Sequence, residues 1–134
     1  MNKANILIVE DDKIHTYIAE THLKNHFHYR SVTTGYAALE AIEKEKFDVI
    51  LMDINLNDET MDGIKTMRTI RYNRKHRHTK IIAVTAASDA REWFLKQGFD
   101  AHYLKPLYEN EIVEEINKQL EKDVIIIKKT KMAA

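Results

Sequence analysis

The sequence predicts an α/β fold in which five parallel strands alternate with five helices, a doubly wound (βα)5 arrangement. Short apolar runs typical of strands recur along the chain, and a segment with helical spacing of apolar residues follows each of them. The run from Phe47 to Met52 is apolar at all but one position, which suits a central strand buried on both faces. Such alternation gives a parallel sheet with right-handed crossovers and helices on both faces.

The first elements follow in order from the amino terminus. Ile6 to Val9 is an apolar run that ends at three consecutive acidic residues. The helix after it is expected to direct three side chains to the core, namely Ile14, Ile18 and Phe27. Tyr29 to Thr33 is predicted as the second strand, and Gly35 separates it from the next helix. The apolar residues of that helix are Ala38, Leu39 and Ile42.

The elements after the central strand are predicted in the same way. A polar loop from Leu56 to Asp62 precedes the third helix, whose apolar residues are Ile64, Met67 and Ile70. Lys80 to Thr85 is predicted as the fourth strand and ends at a hydroxyl. Ser88 is expected to cap a helix that runs through Phe94 and stops at Gly98.

The end of the chain combines a short strand with a last helix and a tail. Ala101 to Leu104 is predicted as the fifth strand, and the following helix has an apolar face formed by Ile112, Ile116 and Leu120. The apolar run from Val124 to Ile127 then has three interpretations: an added strand, a dimer contact, or a continuation of the last helix. An exposed run of this kind invites pairing, so we favour a contact.

Composition limits the class of protein. A length of 134 residues suits one domain with a sizeable core, and the absence of cysteine excludes disulfides and thiolate metal sites. The 21 basic and 21 acidic residues balance, so no overall field favours nucleic acid or acidic lipid. No apolar run reaches membrane-spanning length, and no signal-peptide pattern precedes the first strand. We therefore expect a cytoplasmic domain with no direct contact to nucleic acid or membrane.

Five side chains are expected to meet where strands leave the sheet, because the carboxyl ends of parallel strands share one edge. They are Glu10, Asp11, Asp53, Thr85 and Lys105. Clustered carboxylates repel one another and favour a divalent cation, and a site with only oxygen ligands suits Mg²⁺. The metal, the lysine and the hydroxyl would offset the charge of a transferring phosphoryl group, with Asp53 as the nucleophile.

Five motifs occur in a fixed order along the chain. They are Ile6-Leu7-Ile8-Val9-Glu10-Asp11, Val49-Ile50-Leu51-Met52-Asp53, Met61-Asp62-Gly63, Ile82-Ala83-Val84-Thr85-Ala86 and Leu104-Lys105-Pro106. Together they closely resemble the receiver domain of two-component response regulators, which implies a flavodoxin-like receiver fold. The resemblance covers residues 5 to about 121. We assign residues 1–122 to this domain and 123–134 to a C-terminal tail.

The resemblance implies a role for each site residue. Asp53 would accept a phosphoryl group from a sensor histidine kinase or a histidine phosphotransfer protein. Mg²⁺ would be held by Asp11, Asp53 and the backbone carbonyl of Asn55, with Glu10 acting through a water molecule. Asp12 is the next position in the sequence and is expected to be a helix cap or an outer-shell group of the metal site.

The resemblance also assigns the basic and switch residues. Thr85 would contact the phosphoryl oxygens, Lys105 would form an ion pair with them, and Pro106 would follow a cis peptide bond. His102 stands where many family members carry an aromatic residue that swings inward on phosphorylation, so Thr85 and His102 are the switch candidates. With a histidine at this position, the chain resembles a subset of receivers that are fused to hybrid kinases or work in phosphorelays. The loop between Asp53 and its following glycine is longer than the commonest family form.

Three functions are consistent with these residues. The favoured one is a phosphoaccepting receiver that signals through contacts with a downstream protein, or that passes the phosphoryl group onward in a phosphorelay, and that is not an enzyme in the usual sense. An aspartyl-phosphate phosphatase is less favoured, because such hydrolases place a second acid where this chain has Asn55. A binding module that has lost phosphorylation is disfavoured by the presence of Asp53, Thr85 and Lys105.

Two further groups of charged residues have alternative interpretations. His15, His22 and His26 lie near one helical face and could bind metal or a partner, but a solvated surface is favoured. His15 follows the acids closely enough to touch a phosphodonor. The basic segment from Arg68 to Lys80 could bind an acidic partner or nucleic acid, but interaction with the dipole at a helix C-terminus is favoured.

Overall fold

The computed structural model describes residues 3–87 and 90–133. The strands are β1 (Asn5–Val9), β2 (His28–Val32), β3 (Val49–Asp53), β4 (Lys80–Thr85) and β5 (Ala101–Leu104). The helices are α1 (Lys13–Leu23), α2 (Gly35–Lys44), α3 (Gly63–Tyr72), α4 (Arg91–Gln97) and α5 (Glu109–Ala133), and a short 3₁₀ helix spans Arg74–His76. The predicted α/β alternation is therefore confirmed.

All five strands form one parallel sheet in the order β2-β1-β3-β4-β5. Strand β3 pairs with β1 on one side and β4 on the other, and every one of its residues is buried. Because both neighbours are parallel, their carboxyl ends lie beside that of β3. The sheet order thus places β1, β3, β4 and β5 in adjacent positions along the edge where Asp53 ends its strand.

Two apolar layers cover the sheet, one on each face. Alternate strand residues point to opposite faces, so Leu7 packs in one layer and Ile6 in the other. The first layer is formed with α2, α3 and α4 and includes Ala38, Ile42, Met67, Ile70 and Phe94. The second is formed with α1 and α5 and includes Ala19, Leu23, Ile112 and Ile116. Burial on both faces explains why the central strands are apolar almost throughout.

The core prediction for α1 is partly wrong. Ile14 is 70% exposed, because it lies on the side of α1 opposite to its buried residues. The buried residues of α1 are Ala19 and Leu23, which are four positions apart and share a face. Phe27 is buried as predicted, but it follows the helix instead of belonging to it. Strand β2 begins and ends one residue earlier than predicted.

Side-chain caps fix where three helices begin. Asp12, Thr34 and Asp62 each accept hydrogen bonds from backbone N–H groups in the first turn of α1, α2 and α3. Helix α4 ends at Gly98, whose φ of 124° lies in the region that favours glycine. Ser88, the predicted cap of α4, lies outside the described residues.

The tail continues the last helix. Helix α5 runs without interruption from Glu109 to Ala133, so the alternative of an added strand is wrong for the described part of the tail. The four residues from Val124 to Ile127 are each at least 50% exposed. Within residues 3–87 and 90–133, we find no helix long and apolar enough to cross a membrane.

Candidate functional site: a carboxylate cluster at the sheet edge

The predicted site residues lie at the carboxyl ends of adjacent strands. Glu10 and Asp11 follow β1, Asp53 is the last residue of β3, Thr85 is the last of β4, and Lys105 follows β5. The sheet order brings these strand ends into one row. The side chains of Glu10, Asp11, Asp53 and Lys105 meet as expected, although Glu10 and Lys105 are 95 positions apart in the sequence. Thr85 ends the neighbouring strand β4.

Three carboxylates form the centre of the site. Glu10, Asp11 and Asp53 each offer an oxygen, and these oxygens lie within 4.8 Å of one another. Glu10 and Asp53 are each only 5% exposed. The second oxygen of Glu10, Oε2, is buried and has no hydrogen-bond partner among the described residues. An unpaired buried oxygen beside two more carboxylates fits a hard divalent cation such as Mg²⁺, which prefers oxygen ligands.

Lys105 reaches this cluster from the last strand. Its Nζ lies 3.2 Å from Glu10 Oε1 and 3.4 Å from Asp53 Oδ1, and its side chain is largely buried. The backbone N–H of Lys105 donates to the carbonyl of Thr85, which ties the ends of β4 and β5 together. The bond between Lys105 and Pro106 is cis, as the resemblance implies. The lysine thus supplies a positive charge next to the carboxylate at the end of β3.

Backbone N–H groups of the loops after β3 and β4 donate hydrogen bonds to side chains of the site. The N–H of Asn55 donates to Asp53 Oδ1 at 3.2 Å, and the N–H of Asn57 donates to Asp11 Oδ2 at 2.9 Å. No residue type signals the Asn57 contact, because any residue other than proline offers this backbone donor. The hydroxyl of Thr85 is buried and accepts a hydrogen bond from the N–H of Ala87 at 3.2 Å.

Asp12 and His15 lie at the rim of the site. Asp12 Oδ1 accepts hydrogen bonds from the N–H groups of Ile14 and His15, so its predicted role as a helix cap is confirmed. The backbone hydrogen bond from His15 is the largest cause that lowers the pKa of Asp12. His15 Nδ1 lies 2.8 Å from Glu10 Oε1 and 3.2 Å from Lys105 Nζ, so this histidine borders the site. Its side chain is 48% exposed, which agrees with the solvated surface predicted for it.

A cavity of about 350 Å³ opens beside the carboxylates. Its walls are mainly apolar and come from β1, α1 and the segment after β5, with Ile8, Ile18 and Leu107 among them. Glu10, Asp53, His15 and Lys105 also line it. A group that approaches Asp53 from this side therefore passes apolar walls and a short row of charged side chains.

Glu10 has a strongly raised pKa. Burial and, next in size, the neighbouring carboxylate of Asp53 raise the pKa of Glu10 from 4.5 to about 8, although Lys105 acts in the opposite direction. Without a cation, the cluster therefore retains a proton where three ionised carboxylates would repel one another. A bound cation would offset the repulsion between the carboxylates.

The raised pKa predicts how stability depends on pH in the presence of a chelator. Between pH 4.5 and about 8 the folded protein keeps a proton on Glu10 that the unfolded chain has released. The stability contributed by this proton is complete below pH 4.5 and is lost as the pH rises through about 8. We expect the free energy of unfolding, measured with urea in EDTA, to fall less steeply over this window in Glu10→Gln. Equal slopes for the two proteins would contradict the prediction.

His102, the second switch candidate, packs against helix α4. Its ring stacks on that of Phe94 from α4, with centroids 5.3 Å apart and an angle of 9° between the planes. Burial lowers the pKa of His102. Tyr103 points to the opposite face, as strand alternation requires, and donates a hydrogen bond to Glu111 of α5. A switch role for Thr85 or His102 stays a prediction.

The other histidines and the basic segment make structural contacts. His22 Nε2 lies 3.0 Å from the carbonyl of Leu107, and His26 Nε2 lies 3.3 Å from Glu109. These contacts connect α1 and the turn after it to the segment where α5 begins. The predicted solvated surface is therefore wrong for His22, whose side chain is 24% exposed. In the basic segment, Arg71 donates to the carbonyls of Gly98, Arg77 and Thr79 and to the carboxylate of Asp100. These contacts join α3 to the loops around it.

Comparison with known proteins identifies the family. The family model described as the response regulator receiver domain matches residues 6–117. The chain belongs to this family. Receiver domains are signalling phosphoacceptors of two-component systems that bind Mg²⁺ in an acidic pocket, and they are generally not classed as enzymes.

Curated relatives of this receiver domain are longer proteins. The chain is 32% identical over 119 residues to the sensor histidine kinase GacS of Pseudomonas protegens, with 84% of the chain and 13% of GacS covered. It is 32% identical over 122 residues to the transcriptional regulatory protein GltR of Pseudomonas aeruginosa, with 89% of the chain and 50% of GltR covered. The receiver domain thus spans half or less of these relatives.

Solved structures share its fold. The receiver domain of a sensor histidine kinase from Pseudomonas aeruginosa is 29% identical, with a TM-score of 0.79 and coverage of 89% of this chain and 98% of that one. In that structure a magnesium ion is coordinated in the active-site cleft. A CheY-like receiver domain protein from Methanospirillum hungatei is 30% identical, with a TM-score of 0.79 and coverage of 90% and 96%.

Proposed function

We propose that this receiver domain accepts a phosphoryl group on Asp53 from the phosphorylated histidine of a sensor kinase or of a histidine phosphotransfer protein. The observation that carries the proposal is the position of Lys105 Nζ, 3.4 Å from Asp53 Oδ1, beside carboxylate oxygens that lie within 4.8 Å of one another. An oxygen nucleophile, a cation-binding cluster and a lysine in one place are the parts that phosphoryl transfer requires.

Each residue has a defined part in the transfer. A carboxylate oxygen of Asp53 attacks phosphorus, the bond from phosphorus to the donor nitrogen breaks, and its electron pair stays on the imidazole. Lys105 pairs with the negative oxygens of the arriving group, and the hydroxyl of Thr85 donates a hydrogen bond to one of them. The Asn55 N–H, which donates to Asp53 Oδ1, holds the carboxylate in position. The apolar walls of the cavity limit attack by water.

The acidic cluster is suited to hold Mg²⁺. Asp11, Asp53 and the backbone carbonyl of Asn55 would bind the ion, and Glu10 would act through a water molecule. When bound, Mg²⁺ supplies the positive charge that offsets both the carboxylates and the phosphoryl oxygens. The unpaired Oε2 of Glu10 and the raised pKa of this residue support the assignment, because the protein groups around Glu10 do not fully stabilise its ionised form, which a cation would stabilise.

Transfer from a kinase tests the proposal directly. The chain is incubated with a histidine kinase that carries ³²P on its histidine, and the label is expected to move to the chain in Mg²⁺ and to be released by hydroxylamine, as an acyl phosphate is. Peptide mapping should then place the label on the segment with Asp53. Label on any other residue would contradict the proposal.

Binding of Mg²⁺ should also raise the thermal stability. At a free concentration of about 100 times Kd, mass action adds about 2.7 kcal/mol to the free energy of unfolding. Differential scanning fluorimetry with increasing Mg²⁺ should show this shift in the native chain and in the control variant Asp58→Asn. Asp58 is a loop acid whose carboxylate accepts a hydrogen bond from Thr60. The shift should be lost in Asp11→Asn. A chain that melts at the same temperature with and without Mg²⁺ would contradict the assignment of the metal site.

A role as a phosphorelay intermediate is a second candidate, supported by the relatives that are histidine kinases, such as GacS. In such a relay the acyl phosphate on Asp53 would pass its phosphoryl group to a histidine of a phosphotransfer protein. Purified phosphorylated chain should then lose its label to that protein faster than to water. Equal rates of loss with and without the phosphotransfer protein would exclude onward transfer to it.

A further inference from the structure

The last part of α5 carries an apolar surface that the domain leaves uncovered. Val124, Ile125, Ile126 and Ile127 are 50%, 51%, 56% and 55% exposed. We call residues 121–133 the helical tail. Four successive helical residues point in directions about 100° apart, so this segment is apolar on most of its circumference. A helix with this property is normally buried against another element.

The helical tail begins where α5 leaves the sheet. Ile112, Ile116 and Gln119 are the buried residues of α5, and Leu120 still packs partly against the core. Lys80 at the start of β4 lies with its Nζ 3.3 Å from Asp123, which fixes the helix to the amino end of that strand. The tail is therefore at the end of the sheet opposite to Asp53.

The charges of α5 are separated along its length. Residues 109–123 contain six acidic and two basic side chains, whereas residues 124–133 contain Lys128, Lys129 and Lys131 and no acidic side chain. Acidic residues near the start and basic residues near the end also suit the dipole of a single helix. The dipole, however, gives no reason for four exposed aliphatic side chains between the two charged parts.

We propose that a second copy of this chain packs its helical tail against the first in antiparallel orientation. The lysines of one copy then lie beside Glu121 and Asp123 of the other, whereas a parallel pair would place lysines against lysines. Val124 and Ile127 continue the spacing of Ile116 and Leu120 and form the seam between the two tails. The phosphoacceptor edges remain free at the far ends of both domains.

Self-association is tested by sedimentation equilibrium of the purified chain. We expect a monomer–dimer equilibrium whose Kd rises at least ~10-fold in Val124→Asp/Ile127→Asp. Ile14→Asp is the matched control, since it replaces an aliphatic side chain that is 70% exposed on α1, and it should leave Kd unchanged. Circular dichroism of each variant verifies that it is folded. A native chain that stays monomeric, including one whose tail binds anionic vesicles instead, would overturn the proposal.

Orientation is tested with single cysteines, because the chain has none of its own. Glu121→Cys and Lys131→Cys are prepared separately and treated with a short bismaleimide. In an antiparallel pair centred on Ile126, equivalent residues at 121 or at 131 lie about 15 Å apart along the axis, whereas 121 of one copy lies beside 131 of the other. We therefore expect cross-linked dimer in a mixture of the two variants and not in either variant alone. Cross-linking in each variant alone would show a parallel pair and overturn the proposal.

Discussion

Asp53→Asn is expected to lower Mg²⁺-dependent labelling of the chain by acetyl phosphate at least ~100-fold, equivalent to about 2.7 kcal/mol in the barrier. The physical reason is that an amide oxygen is a poor nucleophile compared with a carboxylate and carries no charge to hold a cation. The measurement is mobility on a phosphate-binding gel after incubation with acetyl phosphate and Mg²⁺. Chelation by EDTA should have a comparable effect on the native chain.

The matched control for this substitution is Asp58→Asn. Asp58 is a loop acid whose carboxylate accepts hydrogen bonds from Thr60, and it lies outside the carboxylate cluster. We expect this variant to label like the native chain. Labelling of Asp53→Asn at the native rate, or full labelling of the native chain in EDTA, would show that the reactive group has been assigned to the wrong residue.

The positions of the site residues could be predicted because they depend on topology. Parallel strands joined by right-handed crossovers must end at the same edge, so Asp53 and Lys105 could be placed together from their strands alone. Strand alternation, likewise independent of loops, places His102 and Tyr103 on opposite faces of β5. These predictions needed no knowledge of loop conformation.

Contacts that depend on the path of a loop or on the rotation of a helix could not be predicted from the sequence. The Asn57 N–H that donates to Asp11 is fixed by the path of a polar loop, and no side-chain type signals it. His15 reaches Glu10 and Lys105 because α1 begins directly after the acids and places the ring beside them. The rotation of α1 about its own axis is set by packing on the sheet and not by apolar spacing alone, and this rotation leaves Ile14 exposed.

Gly63→Ala is expected to be the most destabilising of the conservative substitutions near the site. A Cβ added at Gly63 would overlap the backbone carbonyl oxygen of Asp53 and lie 2.9 Å from the Cα of Ile54. Both atoms belong to the backbone, so they cannot give way by a change of rotamer. The start of α3 must move, at a net cost of about 2 kcal/mol, even though alanine favours a helix. This corresponds to a Tm lower by roughly 8 °C.

Thermal unfolding of Gly63→Ala beside Thr69→Ala measures this effect. Thr69 is an exposed residue of the same helix, so its replacement reports what alanine does to α3 without a backbone clash. We expect Thr69→Ala to stay within a few degrees of the native Tm. If Gly63→Ala had the same Tm as Thr69→Ala, the close approach of α3 to β3 would not contribute to stability. A loss confined to Gly63→Ala, together with slower labelling of Asp53 at a temperature where the variant is folded, would show that this approach positions the phosphoacceptor backbone.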